Sequence, residues 1–129
     1  MYLIDTSVLI DFFKGRETKQ TLKLENIILN KIPFGISAFT YQELLQGAKD
    51  EKEYKKLNRY LSTQKIYYPT HDTFEKSAHL FFSCRKKGIT IRSTIDTLIA
   101  ITAIENGLIL LCSDRGFEYI SRVIDLKIE

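Results

Sequence analysis

An α/β fold with a mostly parallel sheet is what this sequence predicts, and three observations predict it. Apolar runs short enough to be strands alternate with stretches of helical periodicity, the pattern of a sheet covered by helices on both faces. Two of those runs, Tyr2-Leu3-Ile4 and Leu108-Ile109-Leu110-Leu111, are apolar throughout, as strands buried on both faces are. Each then gives way to polar residues, at Asp5-Thr6-Ser7 and at Ser113-Asp114. At 129 residues the chain is expected to form a single domain, 1–129, with a sheet of four to five strands.

Residues 2–4 form the first expected strand, and a helix begins near Thr6 with Val8, Leu9, Ile10, Phe12 and Phe13 as its apolar positions. Gly15 ends it, within the basic turn Lys14-Gly15-Arg16. Leu22, Leu24, Ile27, Ile28 and Leu29 keep helical spacing over 17–30. Ile32–Ile36 reads as a short strand, whose Pro33 suits only a strand start or an edge. Ser37 and Thr40 open a third helix running to Ala48. A charged helix over 50–62 then gathers Tyr54, Leu57, Tyr60 and Leu61 on one face. Ile66–Tyr68 is a further short strand, stopped by Pro69. The longest helix spans 72–87, with Asp72 and Glu75 at capping-box spacing and Gly88 as its end. Ser93 caps the next helix, which finishes at Gly107. After the apolar strand 108–111 come a turn at 113–116, a short helix at 117–121 and an expected edge strand, Val123–Leu126.

Composition excludes several classes. With 44% hydrophobic and 27% charged residues the chain is an ordinary globular domain. No apolar run nears the roughly 20 residues a bilayer span requires. Asp5 and Asp11 interrupt the apolar amino terminus, which is not expected to be a secretory signal. Cys84 and Cys112 are isolated, which argues against a zinc site or a disulfide framework and makes a reducing cytoplasm the simplest home. The net charge of +3 is mild, so any nucleic-acid preference rests on how the charges are distributed.

Four acids carry the functional question: Asp5, Glu43, Asp96 and Asp114. Each has an ordinary structural explanation. Asp5 stands where an N-cap belongs. Glu43 lies three residues after Thr40, and Asp96 three after Ser93, so either completes a capping box. Asp114 lies in a turn, where its side chain satisfies local backbone groups. Two observations point beyond these roles. Asp96 sits in Ile95-Asp-Thr-Leu-Ile-Ala-Ile-Thr-Ala103, the most apolar helix of the chain, where a buried carboxylate is costly unless paired or bound to a metal. Asp5 and Asp114 both follow strand-like runs, and if those strands are neighbours, their like charges repel unless a cation intervenes. A cluster of oxygen ligands without His or Cys suits a hard ion, Mg²⁺ or Mn²⁺.

Leu-Ile-Asp5-Thr-Ser, Glu43 early in a helix after the second strand, Asp96-Thr-Leu-Ile-Ala-Ile-Thr-Ala and Leu-Leu-Cys-Ser-Asp114-Arg-Gly-Phe117 stand in this order along the whole chain. Together they resemble the PIN-domain ribonucleases, and at this length the VapC-type toxins. The resemblance implies a PIN-like fold and an acidic pocket that binds one or two Mg²⁺ or Mn²⁺ ions and hydrolyses RNA. Asp5, Glu43, Asp96 and Asp114 match the family's carboxylates, with Asp5 and Asp96 as the most direct ligands. It further implies a small antitoxin partner, a homodimer and a transfer-RNA substrate. Two positions depart from the pattern. Cys112 stands where Thr or Ser is common, and Gly116 where a fifth acid often precedes the aromatic.

Thr6 and Ser7 either orient carboxylates or a phosphate, or simply assist the helix start. An acidic pocket repels RNA, so basic residues must flank it. Arg92, four residues before Asp96, and Arg115, next to Asp114, are the leading phosphate contacts, with Lys87 and Lys14 behind them. The run Arg85 to Lys87 also suits a helix C-terminus. His71 and His79 are read as surface residues. A haloacid-dehalogenase-like phosphatase would need an acid where Ser7 stands. A receiver domain would need an acidic pair near Asp5, which stands alone until Asp11. The alternative from another class is a non-catalytic PIN-like module that binds RNA or protein.

Overall fold

The computed structural model describes residues 1–129. Its elements are β1 (Tyr2–Ile4), α1 (Thr6–Phe13), α2 (Lys19–Leu29), β2 (Phe34–Ser37), α3 (Ala38–Gln46), α4 (Glu51–Leu61), β3 (Ile66–Tyr67), α5 (His71–Lys86), α6 (Thr94–Glu105), β4 (Ile109–Leu111) and α7 (Gly116–Ser121). The four strands pair in parallel in the order β3-β2-β1-β4, the lower of the two strand numbers expected. The chain steps outward from β1 to β2 to β3 and then places β4 on β1's other side. The gap between β1 and β4 is therefore where strand order reverses, the position at which open α/β sheets bind ligands.

Alternation along the strands divides the interior into two cores. Leu3, Leu110 and Cys112 face a cluster built with Leu80, Ile99 and Phe117 from α5, α6 and α7. Tyr2, Ile4, Ile36 and Leu111 face the other, built with Val8, Leu24, Leu44 and Leu61 from α1 to α4. Helices α1 to α4 thus cover one face and α5 to α7 the other, and both central strands feed both cores. One glycine is required by the sheet itself. A Cβ at Gly35 would lie 2.7 Å from the Lys65 carbonyl oxygen and 2.7 Å from the Tyr67 ring, so β2 and β3 approach only because that position is bare.

Two local expectations are corrected. Val123–Leu126 is not an edge strand: Val123 and Ile124 donate backbone N–H groups to the Ile120 carbonyl, completing the turn out of α7. Their apolar side chains, with Leu126, pack onto the α5–α7 core rather than extending the sheet. The edge is covered by the last three residues instead. Leu110 donates to the Lys127 carbonyl at 2.9 Å, and Glu129 donates back to the Leu110 carbonyl at 2.9 Å. The capping box of α5 is formed by Thr70 and Thr73, not Asp72 and Glu75, with the Thr70 N–H donating to Thr73 Oγ1 at 2.9 Å. Buried Thr73 is also anchored to α6, because its hydroxyl donates to Glu105 at 2.8 Å. Glu75 instead lies 3.0 Å from His71 on the exposed face.

Candidate active site

The register Ile4↔Leu111 makes the carboxyl ends of β1 and β4 level. The Asp5 N–H donates across that gap to the Leu111 carbonyl at 2.9 Å, which carries Asp5 out of the sheet beside Cys112, with Asp114 two residues further along. Asp5 is 5% exposed. Its Oδ2 accepts the Ser7 hydroxyl at 2.6 Å and the Ser7 N–H at 3.3 Å, so it does cap α1. Burial raises its pKa above the usual carboxylate range. The Ser7 hydrogen bonds oppose that rise, and the Glu43 charge adds to it.

Glu43 is brought to Asp5 by a chain of hydroxyls. Ser37, at the end of β2, is the N-cap of α3 and accepts the Thr40 N–H at 3.0 Å. The Ser37 and Thr40 hydroxyls are 3.2 Å apart, those of Thr40 and Thr6 3.1 Å, and the Thr6 hydroxyl donates to Glu43 Oε1 at 2.7 Å. A hydroxyl has one proton to give. The Thr6 hydroxyl faces both Glu43 and Thr40, and the carboxylate, as the stronger acceptor at the shorter distance, takes its proton, while Thr40 accepts from Ser37. Thr40 and Ser37 are fully buried. Glu43 is therefore no half of a capping box: its side chain reaches across to α1. Ser37 and Thr40 read from the chain as helix-start residues only, and their contact with Thr6 joins residues 34 apart, which no local pattern reveals.

Asp96 lies in the first turn of α6, but Ser93 caps that helix, accepting the Ile95 N–H at 3.2 Å. The Asp96 carboxylate is half-buried. Burial first, then repulsion from Asp114, Asp5 and Glu43, pushes its pKa up to about 6. All four acids thus share one electrostatic field, as their order along the chain implied. Asp114 is exposed and accepts the Gly116 N–H at 2.9 Å, so its turn role is real as well. Cys112, between the two strand-end acids, is buried and free, and burial together with Asp5 and Asp114 pushes its thiol up to about 12. At neutral pH it is an uncharged spacer, which leaves a donor set of oxygens alone.

That donor set fits a hard divalent ion in kind and in charge. No three of the acids close into a ready-made cage in this conformation. From Asp96 and Asp114 the site opens into a cleft of about 790 Å³, the scale of a small-ligand pocket. Its walls are the 88–92 connector and α7, and its arginines are Arg92, Arg115 and Arg122. Arg92 and Arg115 were expected there, while Arg122 and Tyr119 were not. The signal was available, since residues 115, 119 and 122 recur at helical spacing. Lys87 stays outside the cleft, exposed at the end of α5. Lys14 caps the far end of α1, roughly 13 Å along that helix from Asp5.

A family profile described as the PIN domain matches residues 2–123. The chain is similar to a VapC ribonuclease of Mycobacterium bovis, Mb1587, at 26% identity over 98% of this chain and 96% of the relative. Ribonuclease VapC11 of Mycobacterium tuberculosis matches with the same identity and coverage. Among solved structures, VapBC2 of Rickettsia felis, bound to a DNA fragment from its promoter, superposes with a TM-score of 0.79 at 23% identity, over 99% of this chain and 96% of that one. FitAcB of Neisseria gonorrhoeae superposes with a TM-score of 0.78 at 21% identity and the same coverage. The chain belongs to the PIN-domain family and resembles its VapC-type members along nearly its whole length.

Proposed function

We propose that the protein is a divalent-metal-dependent endoribonuclease whose site is the acidic cluster at the β1–β4 switch point. One observation carries the reading. Burial and three other carboxylates, Asp114, Asp5 and Glu43, together raise the pKa of Asp96, an arrangement that costs stability unless a cation offsets it. Asp5 and Asp96 would be the direct ligands of Mg²⁺ or Mn²⁺, with Glu43 and Asp114 acting directly or through water. Such an ion, when bound, supplies charge neutralisation at the phosphate and a water of lowered pKa. Ser7 holds the buried Asp5 carboxylate in one orientation, and Thr6 does the same for Glu43. Arg92 and Arg115, which make no ion pair with a protein acid, hold the RNA backbone beside the site.

By the kinship above, the protein acts in the cytoplasm as the toxin of a VapBC-type pair, with a small antitoxin as partner and transfer RNA as the favoured substrate. Phe13 and Tyr60, exposed aromatics in edge-to-face contact at 5.6 Å, give α1 and α4 an apolar surface for that antitoxin or for a second copy. No helix is long and apolar enough to cross a membrane. The open spacing of the acids favours one other reading, a non-catalytic module that binds RNA or protein. Incubating the purified protein with structured RNA in Mn²⁺, with EDTA and Asp5→Ala controls, separates the two. Cleavage that EDTA and Asp5→Ala both abolish supports the nuclease; RNA left intact in Mn²⁺ supports the module.

A further inference from the structure

The cleft that leaves Asp96 and Asp114 is more than an approach to them. Its three arginines pair with no protein carboxylate, although two acids line the same cleft. Guanidinium groups left free beside acids are placed for an anion that the protein does not itself supply. On α7, Tyr119 is 42% exposed, and the Arg122 guanidinium lies 5.1 Å from the centre of its ring. An exposed aromatic held by a cation on its own helix, facing a polar cleft, is a platform for a flat partner. An acidic peptide would satisfy the arginines but would leave the exposed ring without a flat partner. A nucleotide chain satisfies both, with its phosphates at the arginines and a base on the ring.

We infer that the cleft between the 88–92 connector and α7 is a nucleotide subsite for single-stranded RNA. Tyr119 stacks on the base next to the scissile phosphate, and Arg122 and Arg115 hold that nucleotide's phosphates. The inference rests on the nuclease reading of the acids, and its test keeps the two apart. Tyr119→Ala, Tyr119→Leu and Tyr119→Phe are compared with the unaltered protein in Mn²⁺ on two substrates. One is a mixed-sequence oligoribonucleotide, and the other is an abasic ribose-phosphate chain of the same length, which has the diesters but no flat ring. Loss of the ring raises KM for the RNA on the order of ten-fold, whereas Tyr119→Phe stays close to the unaltered protein, because stacking needs the π face and not the hydroxyl. All three variants hydrolyse the abasic chain as the unaltered protein does. RNA cleavage by Tyr119→Ala that matches the unaltered protein overturns the subsite, as does an equal loss on both substrates. If the unaltered protein cuts neither substrate, the nuclease reading fails by itself. Fluorescence anisotropy of the labelled oligonucleotide in EDTA then decides: weaker binding by Tyr119→Ala sustains the subsite, and equal binding removes it.

Discussion

The two walls of the acidic site are built differently. On the α1–α3 side, Asp5 and Glu43 are tied down: Ser7 grips one carboxylate, and the file Ser37–Thr40–Thr6 grips the other, with Ser37 and Thr40 at full burial. On the α6–α7 side, the Asp96 carboxylate accepts no protein hydrogen bond and that of Asp114 only a local one, and both look into an open cleft. The difference matters because a cation site needs both fixed ligands and a way in. The braced wall sets where charge is held, and the open wall is where a phosphate enters.

The largest contrast is expected from alanine at the two central acids. Both Asp5→Ala and Asp96→Ala abolish Mn²⁺-dependent cleavage, on the order of 10³-fold or more. Their melting curves diverge, however. Asp5→Ala loses about 1 kcal/mol with the cap of α1, while Asp96→Ala, freed of a repelled carboxylate that holds no partner, melts no lower than the unaltered protein. Equal destabilisation by the two would erase the distinction between the walls.

Next come the hydroxyls. Thr6→Val and Thr40→Val keep shape but break the file to Glu43. Each is expected to reduce kcat by roughly 10- to 100-fold with little change in KM for RNA, and Thr6→Ser restores most of the loss. A change confined to thermal stability would make the file a packing device only.

The pH dependence gives a smaller, signed effect. The folded pKa of Asp96, about 6, lies above its ordinary value, so the folded state keeps this proton longer than the unfolded chain does. In the absence of divalent ions, stability from this group is present at pH below about 4 and is lost as pH rises through about 6. Asp96→Asn cannot titrate. It is therefore expected to exceed the unaltered protein by about 1–2 kcal/mol at pH 7, after discounting for solvent at a half-buried group, and to match it near pH 3.5. Thermal melts in EDTA at both pH values check this. Smallest are the arginines: Arg92→Ala and Arg115→Ala each lower the salt slope of RNA binding by about 0.7, and Lys14→Ala, at the far end of α1, leaves it unchanged.

Both central strands and all four acids were legible along the chain, because uniform apolar runs ending in polar residues are local signals. What escaped was set by distance. The bond that holds Glu43 left no trace along the chain, because its partner, Thr6, lies 37 positions away. Val123 to Leu126 looked like a strand because apolar side chains packing out of a helix turn have the same composition as an edge strand. Asp72 and Glu75 have capping-box spacing, yet Thr73 does the capping, since a bond to Glu105 in another helix holds its hydroxyl in place. Tyr119 and Arg122 carry only a weak signal, because a helix of six residues shows less than two turns of periodicity.

Calorimetric titration of Mn²⁺ into the unaltered protein, Asp5→Asn and Asp96→Asn at pH 7.5 tests the central claim most directly. If acids from opposite walls form one cation site, the unaltered protein binds one or two ions and both variants lose that binding, although their substitutions lie on separate elements. Full Mn²⁺ binding retained by either variant would contradict it, leaving Asp5 as a helix cap and Asp96 as an acid without an ion.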